Sequence, residues 1–255
     1  MQKLSVIVTT YNRPELLKET IQSIINQTYR NFELIVVDNN SNYDFFKLID
    51  GFKDSRIKSF QNDNGGIIAI NRNYGIKKSK GEFLAFCDDD DMWIPQKLET
   101  QVNFLNKNHL DLVYSNTYAF YENQKLVETN HPKINTLKKL ILGNNITLST
   151  VLVRNSSNIL FNENKTYAGI EDYILWINLK MNSYLFGMVE RPLIKYRVLS
   201  DSFSRLNKAR EEKKIIIFFM SLIRKNDIEF LTKLLISYRI LKAFFKYIIL
   251  KIIKK

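Results

Sequence analysis

Four consecutive aspartates, Asp88 to Asp91, close an apolar run in the stretch FLAFCDDDDMWIP, Phe83 to Pro95. Neighbouring carboxylates repel by about 4 kcal/mol for unit charges ~4 Å apart at an effective dielectric of ~20, and each raises the pKa of the next. A hard divalent cation removes the conflict. Mg2+ and Mn2+ favour oxygen ligands, and Mg2+ commonly takes one or two carboxylates together with substrate phosphates. An aspartate pair at a strand end can therefore anchor a metal and a diphosphate. The same residues suit a solvated acidic turn that caps the helix starting near Pro95, and residue type alone does not separate the two. A second acidic pair, Glu171-Asp172, opens the helical pattern GIEDYILWINLKM. A carboxylate held within reach of a hydroxyl can take its proton, and burial tunes its pKa towards neutrality. The plain alternative is charge compensation at a helix N-terminus. Arg72 offers a guanidinium for phosphate oxygens, or an ordinary exposed helix charge.

These residues need elements to position them. Leu4 to Val8 is a continuous apolar run, as in a strand buried on both faces. Pro14 opens a helix with Leu16, Leu17, Ile21, Ile24 and Ile25 at helical spacing. FELIVVDNNS (from Phe32) reads as a second buried strand ending in a polar turn, and a helix follows around Tyr43 to Gly51. Arg56 to Asn62 reads as a weaker third strand. A glycine turn and a helix closed by Gly81 lead to a fourth, Glu82 to Cys87. Alternating strands and helices imply βαβ units and a mostly parallel sheet, and such sheets bind ligands beyond the carboxyl ends of their strands. Thr9 to Asn12, Asp38 to Ser41 and Asp88 to Asp91 all fall there. Further on, the pattern predicts a helix to about Asn108, two antiparallel strands in LDLVYSNTYAFYENQKLVET, the Glu-Asp helix, and a strand pair in SYLFGMVERPLIKYRV. The region up to Asn164 shows no clear period.

The chain has 255 residues, 45% hydrophobic and 13% aromatic, enough for a real core. Its net charge of +12 points to an anionic partner. A single cysteine, Cys87, excludes an internal disulfide framework and fits a reducing compartment; it reads as a small buried residue. With only two histidines, a Cys/His zinc site is excluded in practice. The opening MQKLSVIVTTYNRP turns polar too early for a signal peptide, and no stretch reaches the ~18 uncharged apolar residues of a spanning helix.

FCDDDDMW resembles the strand-end motif of the family 2 glycosyltransferases, hydrophobic–hydrophobic–Asp–x–Asp–Asp–x–Trp. Other segments match in order: SVIVTTYNRPELLKETIQSIINQTYRNFELIVVDNNS is similar to the family's opening, NGGIIAINRNYGIKKSKGEFLAFCDDDD to its Asn–x–Gly…Ala–Arg–Asn–x–Gly…Gly segment, and GIEDYILWINL to its Glu-Asp helix. The likeness covers roughly residues 1–200. It implies an α/β GT-A fold, a Rossmann-like, mostly parallel sheet flanked by helices, and inverting transfer of a hexose or N-acetylhexosamine from a UDP-sugar. By position, Asp90 is implied as the main ligand of Mg2+ or Mn2+, with Asp88 near the ribose or the metal. Asp89, Asp91 and Trp93 belong to the donor pocket. Thr10, Tyr11 and Asp38 meet the nucleobase, the Asp38 carboxylate accepting the uracil N3 proton. Arg72 lies beside the nucleotide. Asp172 is the base, and Glu171 orients the acceptor or a neighbouring loop. Many relatives carry Tyr-Arg–x–His after the Glu-Asp helix, where this chain has Leu199, so no histidine metal contact is expected there. Lys195, Arg197, Ser202 and Ser204 remain as candidates for the diphosphate, and Asn39 stands where an acidic residue is commoner.

The likeness ends near residue 200 and the charge pattern changes from about Arg205, which divides the chain into a catalytic domain, 1–204, with a nucleotide-sugar half (1–94) and an acceptor half (95–204), and a basic amphipathic helical tail, 205–255. The tail carries most of the +12 charge. Its last segment, LTKLLISYRILKAFFKYIILKIIKK, mixes aliphatics with Arg239, Lys242 and Lys246 on one helical face. That suits a helix lying in an anionic membrane surface, or one packed on the domain. The expectation is a cytoplasmic enzyme at the inner face of the cell membrane, acting on a glycan or lipid-linked oligosaccharide acceptor in bacterial surface polysaccharide synthesis. A basic nucleic-acid-binding protein is the contrasting class, but no nucleic-acid-binding signature is present and no nucleic acid is expected. A metal-dependent nucleotidyltransferase would share the aspartates but not the Glu-Asp helix.

Overall fold

In the computed structural model the described residues are 2–121, 125–198, 203–224 and 228–253, with the side chains of 203–207 and 253 outside the description. The first half follows the alternation read from the sequence: β1 (Leu4–Thr10), α1 (Pro14–Ile25), β2 (Phe32–Asp38), α2 (Phe45–Asp50), β3 (Ile57–Gln61), α3 (Ile68–Lys78) and β4 (Phe83–Asp88). These four strands pair in parallel in the order β3-β2-β1-β4. Helical crossovers demand this, since parallel neighbours need a long connection. All residues of β1 and β2 are buried, as expected for strands covered on both faces.

The second half comprises β5 (Met92–Trp93), α4 (Lys97–Lys107), β6 (Leu112–Tyr121), β7 (Leu126–Thr129), α5 (Leu137–Leu142), β8 (Leu152–Arg154), α6 (Glu171–Met181), β9 (Phe186–Val198), α7 (Phe203–Ile223) and α8 (Phe230–Ile253). The sheet continues from β4 through β8, β6 and β9 to β5, with β7 beside β6. β8 comes from the stretch with no period. It runs antiparallel to both β4 and β6 and joins the halves. The expected strand pair in SYLFGMVERPLIKYRV is instead one strand, β9, which pairs along β6 in parallel. Pro192 sits opposite Asn116, where the register shifts, and a bulge tolerates a residue with no N–H to give.

Side-chain alternation along the strands feeds two apolar layers. Val6 and Val8 pack with Leu17 and Ile21 of α1 and Leu98 and Val102 of α4. Ile7, Leu84 and Phe86 face the opposite layer, with Trp176 of α6, Phe219 of α7 and Ile236 of α8. Trp176 is thus core. α3 lies tight on the sheet: a Cβ at Gly75 would come within 2.7 Å of Ile7 Cγ2. That approach places Arg72, one turn earlier, over the end of β4.

The basic helices differ in one respect from the sequence reading. Arg239 does not share an outward face with Lys242. It is buried, and with Lys246 it pairs with the buried carboxylate of Glu212 on α7. Among the described residues no helix is long and apolar enough to cross a membrane.

Candidate active site

Parallel register brings the polar clusters together. Thr10 lies opposite Asp38, and Thr9 opposite Asp88. The turn after β4 then gives each aspartate a different environment. Asp88 accepts from Arg72 Nη2 at 2.9 Å, and its own N–H donates to Ser149 Oγ at 3.0 Å. Asp89 accepts from Thr10 Oγ1 at 2.7 Å and from Arg13 Nη1 at 3.2 Å. The same Arg13 nitrogen donates to Asp90 at 3.0 Å. Asp91 is fully buried and accepts from the Arg197 N–H. Burial raises Asp89, and burial with repulsion from Asp88 and Asp89 lifts Asp90 to about 6. Asp91 is pushed well above the ordinary carboxylate range, by burial and then by Asp90 and Asp88.

Arg72 ties this turn to the Glu-Asp helix. Its Nη1 donates to Glu171 Oε1 at 2.7 Å while Nη2 holds Asp88, and its guanidinium sits over the Phe161 ring. Glu171 turns inward, nearly buried, and also accepts from the N–H of Gly169, which adopts φ +89° at the helix entrance. Asp172, one residue on, faces the other way, because successive helix positions are rotated by about 100°. Its carboxylate accepts from the Tyr173 N–H at 2.6 Å and from Asn144 Nδ2 at 3.3 Å. Burial, then the charge of Glu171, pushes Asp172 up to about 7 against the pull of Arg72. Tyr173 Oη donates to the carbonyls of Leu140 and Ile141, which fastens α5 and the following Asn144 to this helix.

Asp88, Asp89, Asp90, Arg72, Glu171 and Asp172 open into one cavity of about 690 Å³, within the range of small-molecule sites. A recess of about 290 Å³ adjoins it through Thr9, Arg13 and Asp89, and is lined by Thr10, Asn39, Asn71 and the exposed ring of Tyr11.

Three residues expected at the donor do not line either space. Asp38 is fully buried, and its oxygens accept from the Ser41 N–H and hydroxyl and from Gln61 Nε2. Asp91 lies behind the turn. Trp93 is drawn into the core because β5 pairs with β9; Lys97 Nζ lies 3.9 Å from its ring centroid. Of the diphosphate candidates, Arg197 is engaged with Glu19 and the Asp90 carbonyl. Leu199 and Ser202 lie outside the described residues, as does the Ser204 side chain. Conversely, Arg13, Asn144, Tyr196 and Glu211 line the cavity without having been singled out. Arg13 was within reach of sequence reasoning, three residues after Thr10 and next to the Thr9 to Asn12 cluster. Asn144 and Glu211 come from segments with no motif. Burial lifts Glu211 to about 7.

Comparison with known proteins identifies the family and the fold. An uncharacterized glycosyltransferase of Rickettsia bellii is 34% identical over 221 residues, covering 84% of this chain and 31% of that protein, so the chain spans about a third of that relative's length. The Escherichia coli protein WfgD, named as a UDP-Glc:alpha-D-GlcNAc-diphosphoundecaprenol beta-1,3-glucosyltransferase, is 33% identical over 213 residues, covering 83% of each chain. The crystal structure of S. aureus TarS 1-349 in complex with UDP-GlcNAc superposes with a TM-score of 0.74 at 22% identity, over 96% of this chain and 73% of that one. That likeness supports the GT-A fold. The family profile described as Glycosyl transferase family 2 matches residues 5–167. With a matching profile over most of its length, matching relatives and the expected fold, the chain belongs to glycosyl transferase family 2.

Proposed function

We propose that this chain transfers a sugar, with inversion, from a UDP-sugar to a hydroxyl of a lipid-linked glycan acceptor. One observation carries the reading: the aspartate turn and the Asp172 carboxylate open into a single cavity, with Asp172 poised at about 7. A base works best when its pKa lies near the operating pH. The donor and acceptor classes follow the activity named for WfgD and the UDP-GlcNAc held in the TarS complex.

The aspartate turn is suited to a divalent cation. Burial, and then repulsion from Asp88 and Asp89, lifts Asp90 to about 6, and a dication relieves the repulsion. Among the described residues no three His, Cys, Asp or Glu side chains form a self-sufficient metal site. Asp88 and Asp90 therefore supply at most part of a shell, the mode in which Mg2+ is held by one or two carboxylates and substrate phosphates. When bound, the ion supplies Lewis-acid stabilisation of the departing diphosphate. The chain's own residues do the rest. Asp172 takes the proton of the acceptor hydroxyl as that oxygen bonds to the anomeric carbon. The bond from that carbon to the diphosphate breaks on the opposite face, and its electron pair leaves with UDP. Asn144 and the Tyr173 N–H hold the Asp172 carboxylate, and Thr10, Tyr11 and Asn71 form the recess for the nucleoside.

The test is a screen of UDP-sugars with a diphosphate-lipid acceptor, with and without Mn2+ or EDTA, and proton NMR of the product's anomeric coupling. Asp172→Asn is expected to lose about 10²–10⁴-fold in turnover while UDP still raises the melting temperature. Asp90→Asn is expected to lose the Mn2+ dependence. Wild-type turnover in Asp172→Asn overturns the assignment of the base.

A further inference from the structure

We infer that α8 is a membrane-surface helix that lies flat in the headgroup layer of an anionic bilayer. Its inner side is occupied: Ile236 and Ala243 are fully buried in the core, and Arg239 is paired with Glu212. On the opposite side stand Leu234, Tyr238, Leu241, Phe245, Ile248 and Ile252, all 37–67% exposed. At about 100° per residue these six fall within an arc of about 80°, with no charge among them. An apolar face of this size is unusual on a soluble surface. The helix is about 36 Å long at 1.5 Å per residue.

The charges flanking this face select the occupant. Lys233 and Lys251 stand about 60° beyond one edge of the apolar arc, and Lys242 about 40° beyond the other. Long basic side chains on both borders can run their stems along the apolar face and lift their ammonium groups to the phosphates. A second protein copy would require matching acidic borders, whereas no acidic residue occurs between Phe230 and Ile253. Crossing the bilayer is a different matter, because no described helix is long and apolar enough. The face also runs on towards the cavity. Leu231 and Leu234 share an apolar groove of about 480 Å³ with Leu137 and Ile141 of α5. Asn144, just past α5, holds Asp172.

The experiment uses the full 255-residue chain and no turnover measurement, so it stands apart from the proposed reaction. Sedimentation with phosphatidylglycerol–phosphatidylcholine vesicles is compared with pure phosphatidylcholine vesicles. The chain is expected to pellet with the anionic vesicles and to be released by high salt. Leu241→Asp/Phe245→Asp alters exposed positions only, so the native melting temperature is retained, and partition is expected to fall at least about tenfold. Lys233→Gln/Lys242→Gln is expected to lower binding about thirtyfold on anionic vesicles only, at about 1 kcal/mol per charge for the two charges removed. Failure of the unaltered chain to pellet overturns the inference, as does unchanged binding by Leu241→Asp/Phe245→Asp. A dimer that this double variant dissolves, with no vesicle binding, overturns it in favour of a second copy on the same face.

Discussion

Arg72 bridges two buried or half-buried carboxylates from different parts of the chain, and its loss has a calculable effect. The Arg72–Glu171 pair is 2.7 Å apart, with side chains only 8% and 6% exposed. Asp88, at 2.9 Å, is 34% exposed. Arg72→Met keeps the stem that packs near Phe161 but strands Glu171 as a buried charge. Breaking a buried pair in this way costs about 3–5 kcal/mol. The Asp88 end, open to water, adds about 1 kcal/mol or less, and the Gly169 N–H still satisfies part of Glu171, so about 3 kcal/mol is expected in all. At about 2–4 °C per kcal/mol for a chain of this size, the melting temperature falls by roughly 6–12 °C. Glu171→Gln in the Arg72→Met background removes the stranded charge and is expected to restore about 1–2 kcal/mol. The assay is urea unfolding followed by circular dichroism for the four members of the double-mutant cycle. A cycle additive to within about 0.5 kcal/mol, or a single-variant loss below about 1 kcal/mol, refutes the claim that this pair clamps the Glu-Asp helix to the sheet edge.

Four further outcomes are expected. With Asp172 as base at about 7, turnover should rise with pH at unit slope through neutrality, standing near one-tenth of its plateau at pH ~6; a flat profile between pH 6 and 8 contradicts the assignment. The same raised pKa means that folded Asp172 binds its proton more tightly than the unfolded chain does. Its contribution to stability is thus complete below the ordinary aspartate range and lost as pH rises to about 7, so Asp172→Asn should raise the melting temperature more at pH 8 than at pH 4. Gly75→Ala presses a Cβ on the branched Ile7 side chain; a loss of about 1–3 kcal/mol is expected in urea unfolding, with a drop in turnover as Arg72 shifts. Lys97 is fully buried and burial pulls it down to about 7, so Lys97→Met should raise the melting temperature at pH 6 and progressively less at pH 9, a trend that thermal scans across pH can read.

Much of the scaffold was legible because its signals are local. The apolar runs of β1, β2 and β4, the helix opened by Pro14 and the polar residues closing each strand all lie within a few residues of one another, and the parallel sheet follows from their alternation. The ordered motifs that resemble family 2 lie on the same elements. By itself, then, the sequence determined the donor-side sheet, the edge on which Thr10, Tyr11 and the aspartates gather, and the acidic pair at the start of α6. Tertiary structure decided which of those groups reach the cavity. Asp38 and Trp93 carry the right residue types, yet one is sealed by Ser41 and Gln61 and the other is drawn under Lys97 by the pairing of β5 with β9. Glu171 and Asp172 are adjacent in the chain but rotated apart on the helix, so one meets Arg72 and the other Asn144. Asn144 arrives from the segment without a period and Glu211 from the basic tail, and Arg72 finds Glu171 across 99 positions of chain. Such contacts leave no mark in local spacing, because they exist only after the sheet has closed and the helices have packed on it.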